Sequence, residues 1–161
     1  MIREVIDKDI QHICEIYNYY IKNTIVTFEE QPVTIENMKK RVDEIVPNFP
    51  YYVYVEDEEV IGYTHAKNWK SRDAYRFSVE STVYLDNKAI GKGIGTQLYT
   101  KLLDELRKRK YHAVLACIAL PNEKSQYLHE KFGFKKIAHL SEVGYKFNKW
   151  IDVGYWELIL K

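Results

Sequence analysis

Two hydrophobic rhythms alternate along the chain. Ile2–Val5 reads as a short strand. Ile10, Ile13, Tyr17 and Tyr20 then recur at helical spacing, with Asp7 or Asp9 placed to cap that helix. Ile35, Met38, Val42 and Ile45 form a second helical stripe, opened by Thr34 and ended by Pro47. Then the period falls to two. Tyr51–Val55 and Val60–Ala66 flank the turn Asp57-Glu58 and predict a hairpin. A loop from Trp69 to Asp73 leads into the β-rich run Tyr75–Leu85. Leu98, Leu102, Leu103 and Leu106 mark a helix over Gly95–Arg109. A strand His112–Ile118 follows, then a short helix opened by Pro121-Asn122 and ended at Gly133. Strand-like segments Phe134–Tyr145 and Val153–Leu160 close the chain.

The order is β-α-α-β-β-β-α-β-α-β-β. It mixes hairpins with crossovers, so it predicts an α/β (mixed α+β) fold, a mixed sheet flanked by helices. No linker, repeat or low-complexity tract divides residues 1–161, and a chain of 161 residues fits one domain. Fourteen tyrosines, six phenylalanines and three tryptophans exclude a mostly disordered chain. The net charge of +1 lacks the basic excess of a nucleic-acid-coating protein. No run approaches the ~18 apolar residues of a membrane span. The N-terminal segment lacks the apolar core of a signal peptide. Cys14 and Cys117 make no metal-ligand spacing and no disulfide framework. Both sit among apolar residues and read as buried, reduced thiols, which fits a cytoplasmic setting.

The chemistry concentrates at Gly91-Lys92-Gly93-Ile94-Gly95, between a strand and an amphipathic helix. Glycines there permit a tight turn and bare the backbone N–H groups. With a helix N-terminus behind them, those groups suit a pyrophosphate. The spacing is G-x-G-x-G, so it matches neither the dinucleotide fingerprint nor the mononucleotide P-loop. A plain strand-to-helix turn is the other reading.

The setting of that loop resembles the GNAT superfamily of N-acetyltransferases. The shared features are a β-rich run, a Gly-rich turn, a long helix, a strand, Asn122, and a short helix ending in Lys131-Phe132-Gly133-Phe134. Further stretches resemble the phosphinothricin and methionine sulfoximine N-acetyltransferase group within it. They are Trp69–Tyr75, Glu80-Ser81-Thr82-Val83-Tyr84, Gly93–Tyr99, Leu120-Pro121-Asn122, His129-Glu130 and Trp150–Trp156. The resemblance implies a single GNAT domain with a mostly antiparallel sheet of about seven strands and about four helices. It also implies acetyl-CoA as cosubstrate, a small amine as acceptor, no metal, no nucleic acid, no membrane, and a homodimer.

Residue by residue, the resemblance places the general base at Glu80. A carboxylate is a weak base for an ammonium group, so it needs an apolar site or a relay through water. Val83, Tyr84 and Leu85 are expected to offer backbone groups to the pantetheine arm and thioester carbonyl. Gly91, Lys92, Gly93, Ile94, Gly95 and Thr96 would cradle the pyrophosphate, with Lys88 adding charge. Asn122 would meet the pantetheine, cap the following helix, or do both. His129 stands where many members carry a tyrosine that protonates the leaving thiolate, and an ordinary surface histidine fits the same position. Phe28, Lys70, Arg72 and Tyr75 are the expected substrate-binding residues. The two positive groups suit an anionic amino-acid analogue, although solvated loop charges read the same way. Two positions depart from the pattern. Ile90 stands where Gln or Arg is expected, and Phe147 where the group can carry a second histidine base. Acetylation of a different small amine or of a protein N-terminus, or a silent acyl-CoA-binding module, are the alternative readings.

Overall fold

A computed structural model describes all residues, 1–161. Seven strands form one sheet in the order β1-β2-β3-β4-β5-β7-β6. They are β1 (Ile2–Glu4), β2 (Tyr51–Glu56), β3 (Glu59–Asn68), β4 (Ser78–Leu85), β5 (Ala113–Leu120), β6 (Lys135–Lys146) and β7 (Lys149–Ile159). Four helices are interleaved: α1 (Ile10–Asn23), α2 (Ile35–Ile45), α3 (Ile94–Lys108) and α4 (Glu123–Lys131). Only β4 and β5 run parallel, because α3 carries the chain back across the sheet between them.

Helices cover both faces. α1 and α2 bury Ile13, Ile21, Met38 and Val42 against Tyr51, Val53 and Tyr63. On the other face, α3 sets Leu102, Leu103 and Leu106 against Val79, Val114 and Trp156. Each such leucine is fully covered, and truncating one to alanine costs ~2–5 kcal/mol. Thr34 caps α2 as its sequence predicts, its hydroxyl accepting from the Asn37 N–H at 3.1 Å. Asp9 does otherwise. Its carboxylate takes the Ile6 N–H and a two-pronged ion pair with Arg3, and so does not cap α1.

The β4–β5 pair builds the site. Their ladder joins Ser78–Glu80 to Ala113–Leu115 and then ends. Beyond it the strands diverge. β4 stays paired to β3 as far as Leu85, and β5 stays paired to β7 as far as Leu120. The main chain of one side of β4 is thereby left facing a gap. Asp86 N donates to Ile61 O, and Trp69 N donates to Ser78 O, so even-numbered β4 residues bond toward β3. Alternation then turns the N–H groups of Val83 and Leu85 toward the gap.

Candidate active site

Two cavities meet at this gap and a third lies beside it. The largest, about 600 Å³, runs along Val83, Tyr84 and Leu85, passes the glycine loop, and reaches α4 at Asn122, Lys124 and Tyr127. Gly91 and Gly93 both hold positive φ, 85° and 77°, which side chains rarely tolerate. A Cβ added at either would meet no atom within 4 Å. The glycines therefore serve the backbone turn and leave open space where an anion would approach. Gly93 directly precedes α3, so its loop delivers N–H groups and the positive end of a helix to one point. Ile94 contributes main chain only, because its side chain is in the core. Lys92 and Lys88 are exposed and do not line the groove. Ile90 does line it, as an apolar wall in place of a polar side chain.

Asn122 takes the capping place expected of it. Its Oδ1 accepts from the Ser125 N–H at 3.1 Å and caps α4, and it lines two of the cavities. Tyr20, which the pattern assigns only to a helix face, reaches the same strand. Its hydroxyl donates to Leu85 O at 2.6 Å, and burial pushes its pKa up to about 12. This groove is thus pinned to α1.

A second cavity, about 240 Å³, lies at the fork itself. Glu80, Cys117, His129 and Phe28 line it. Cys117 is exposed here, not buried as its neighbours suggest. The β5 residue faces the opened gap instead of a packed layer, and partial burial holds its thiol above the usual range. His129 is also placed unexpectedly. It is buried, and both of its ring nitrogens are engaged. Its Nδ1 lies 2.6 Å from Ser125 O and therefore carries the proton, which leaves Nε2 to accept from the Tyr99 hydroxyl at 2.8 Å. Burial lowers its pKa, so the ring is neutral. Tyr99 in turn bonds Ser81 Oγ on β4. This Ser81–Tyr99–His129 chain ties the fork to both α3 and α4.

The roof of the fork is the segment between α1 and α2, and it is fastened at three places. Asn18 brackets Val33 with two hydrogen bonds of 2.8 and 2.9 Å. Glu29 accepts from Tyr17 and, bidentately, from Arg41, whose guanidinium holds it below the usual carboxylate range. Lys146, buried at the end of β6, donates to Thr27 O at 2.7 Å. Phe28 hangs from this roof with its ring against Gly144, where any Cβ would collide with it. Gly144 and Lys146 carry no motif. Their only sequence signal is a glycine and a lysine alternating in a strand.

The third cavity, about 360 Å³, opens on the α1–α2 side of Glu80. Tyr51, Tyr63, Tyr84, His65, Arg41 and Lys67 are among its walls. Glu80 lines both this cavity and the fork.

Lys70, Arg72 and Tyr75 are not brought to any of these cavities. They occupy the exposed turn after β3, where Lys70 and Tyr75 both pack on Trp69. β3 ends at Asn68 and β4 begins at Ser78, so neither strand reaches them. Phe147 sits at the β6–β7 turn with φ 52° and is exposed, so it too lies outside the site.

Comparison with known proteins identifies the family. The Acetyltransferase (GNAT) domain family matches residues 2–154. The chain belongs to the GNAT acetyltransferases. A phosphinothricin N-acetyltransferase of Streptomyces coelicolor is 36% identical over 160 residues, covering 97% of this chain and 94% of the relative. An L-methionine sulfoximine/L-methionine sulfone acetyltransferase of Salmonella typhimurium is 33% identical over 153 residues, covering 94% and 90%. A phosphinothricin acetyltransferase of Sinorhizobium meliloti, solved in complex with acetyl-CoA, superposes with a TM-score of 0.97 at 32% identity, covering 99% and 88%. This GNAT enzyme is accordingly an acetyl-CoA-dependent N-acetyltransferase. The bare glycine turn and the unpaired β4 edge fit the cosubstrate.

Proposed function

We propose that this acetyltransferase acetylates the α-amino group of a small amino-acid analogue of the phosphinothricin or methionine sulfoximine type, with Glu80 as general base. The carrying observation is that Glu80 alone among the charged side chains borders both the fork and the tyrosine-walled cavity. An amine arriving from the second cavity would meet the acyl group at Glu80.

Bound acetyl-CoA supplies an acyl group already activated as a thioester. The chain does the rest. Gly91, Gly93 and Gly95 present N–H groups for its phosphates, and the Val83 and Leu85 N–H groups are aimed to stabilise charge on a carbonyl oxygen in the gap. Glu80 takes a proton from the incoming ammonium, directly or through water, and cavities on both its sides give that water room. A thiol pKa of about 8.5 lets a thiolate depart near neutral pH without a dedicated acid. His129, with both nitrogens engaged, then acts by holding the fork in shape.

The test is thiol release from acetyl-CoA by purified protein with phosphinothricin, methionine sulfoximine, simple amines and an N-terminal peptide as acceptors. Turnover confined to the amino-acid analogues is expected. Glu80→Gln should lower kcat by roughly 10²–10⁴-fold while acetyl-CoA binding is retained. An unchanged rate removes Glu80 from the role. A homodimer in the cytoplasm completes the proposal. Exposed Val143, Tyr145 and Trp150 on the β6–β7 hairpin support the first part, and two free thiols support the second. Light scattering on the purified protein reads the dimer directly.

A further inference from the structure

We propose that Lys67 is the specificity-determining anchor for the acceptor's carboxylate, so that the tyrosine-walled cavity selects zwitterionic α-amino acids over simple amines. This rests on the acceptor reading above and names the residue that enforces it.

Lys67 lies directly opposite Glu80 in the β3–β4 ladder. Residues opposed in this way share a sheet face, with Cβ atoms about 4.5–5.5 Å apart. Both side chains line the same cavity. The two carry opposite charge, yet neither enters an ion pair with the other or with any third residue. The other cation on the wall, Arg41, is already committed to Glu29 through two bonds. Lys67 is therefore the one positive group in the cavity whose donors are free. An α-amino acid carries its ammonium and carboxylate one carbon apart. Such a pair matches a carboxylate and an ammonium held side by side on adjacent strands, with Glu80 facing the amine and Lys67 the acid. The acceptor's side chain then falls among Tyr51, Tyr63 and His65. A second observation points to a ligand in that space. His65 Nδ1 is buried and has no hydrogen-bond partner in the folded chain, an arrangement that ordinarily calls for one.

The experiment compares wild type with Lys67→Met, which keeps the aliphatic stem, and Lys67→Arg, which restores the charge. Methionine sulfoximine and its methyl ester serve as acceptors, and kinetics are run beside equilibrium binding of each acceptor to the CoA complex. The expected result is at least a tenfold rise in KM and Kd for the acid in Lys67→Met. The ester, kcat and acetyl-CoA affinity should stay within about twofold, and Lys67→Arg should recover most of the loss. Equal effects on acid and ester, or none, overturn the proposal. Equal effects with a displaced pH profile would mean that Lys67 serves only Glu80. Wild type that binds the acid through Lys67 but never acetylates it would refute the proposed activity and support the anchor. Wild type that binds no α-amino acid overturns both.

Discussion

Replacing Tyr99 by Phe removes one oxygen from the centre of the molecule and tests the reading of the fork. Tyr99 is fully covered. Its hydroxyl bonds Ser81 Oγ and His129 Nε2. After the change, Ser81 keeps a long bond to Leu115 O at 3.4 Å. His129 has no such alternative, since Nδ1 is held by Ser125 O and Nε2 becomes a buried acceptor without a donor. One orphaned buried group costs ~1–3 kcal/mol, and the phenyl ring still fills the space. The expected loss is about 2 kcal/mol. For a chain of this size that is a Tm decrease of roughly 4–8 °C. Urea unfolding at pH 7 should show a lower midpoint at constant slope. A loss below ~0.5 kcal/mol would mean that His129 has another donor or the other tautomer, and its proposed role in holding the fork would fail. A second arm uses pH. Burial lowers the His129 pKa, so between the folded and unfolded values the unfolded chain binds more protons. Stability then rises with pH in that window and is lost as pH falls below about 6.5.

Other outcomes follow from the same geometry. His65, buried with a pKa pushed down to about 3, should add up to ~1.4 kcal/mol of lost stability per pH unit between pH 6.5 and 3. His65→Phe should flatten that share of the acid limb in denaturant titrations. Gly93→Ala forces a side chain into the left-handed region at a cost of ~1–2 kcal/mol, and should weaken acetyl-CoA at least tenfold by equilibrium binding. Gly144→Ala must move the Phe28 ring. It should lower kcat/KM for the acceptor while leaving acetyl-CoA affinity unchanged, and equal losses in both would place Phe28 elsewhere in the cycle.

Much of the architecture was readable because α1, α2 and α3 each keep one apolar stripe and the β2–β3 hairpin keeps its turn. Thr34, the α3 leucines and the glycine turn act locally, where sequence neighbours decide the outcome. The proposed acceptor cavity was far less legible. Lys67 meets Glu80 only through strand register, and Phe28 meets Gly144 across more than a hundred residues. Cys117 looked buried because its neighbours are apolar, but a period of two sends it to the opposite face of Ala116 and Ile118.

The proposed cosubstrate groove is drawn in peptide bonds, glycines and a helix end, while the proposed acceptor cavity is drawn in tyrosine, histidine and lysine side chains. Point substitution rewrites side chains and leaves amides where they were. Drift at a position such as Ile90 therefore alters the groove's lining without erasing its donors. One or two changes at His65 or Lys67, in contrast, present a different acceptor chamber. The donor chemistry is inherited with the backbone, and the acceptor is open to renegotiation at each generation.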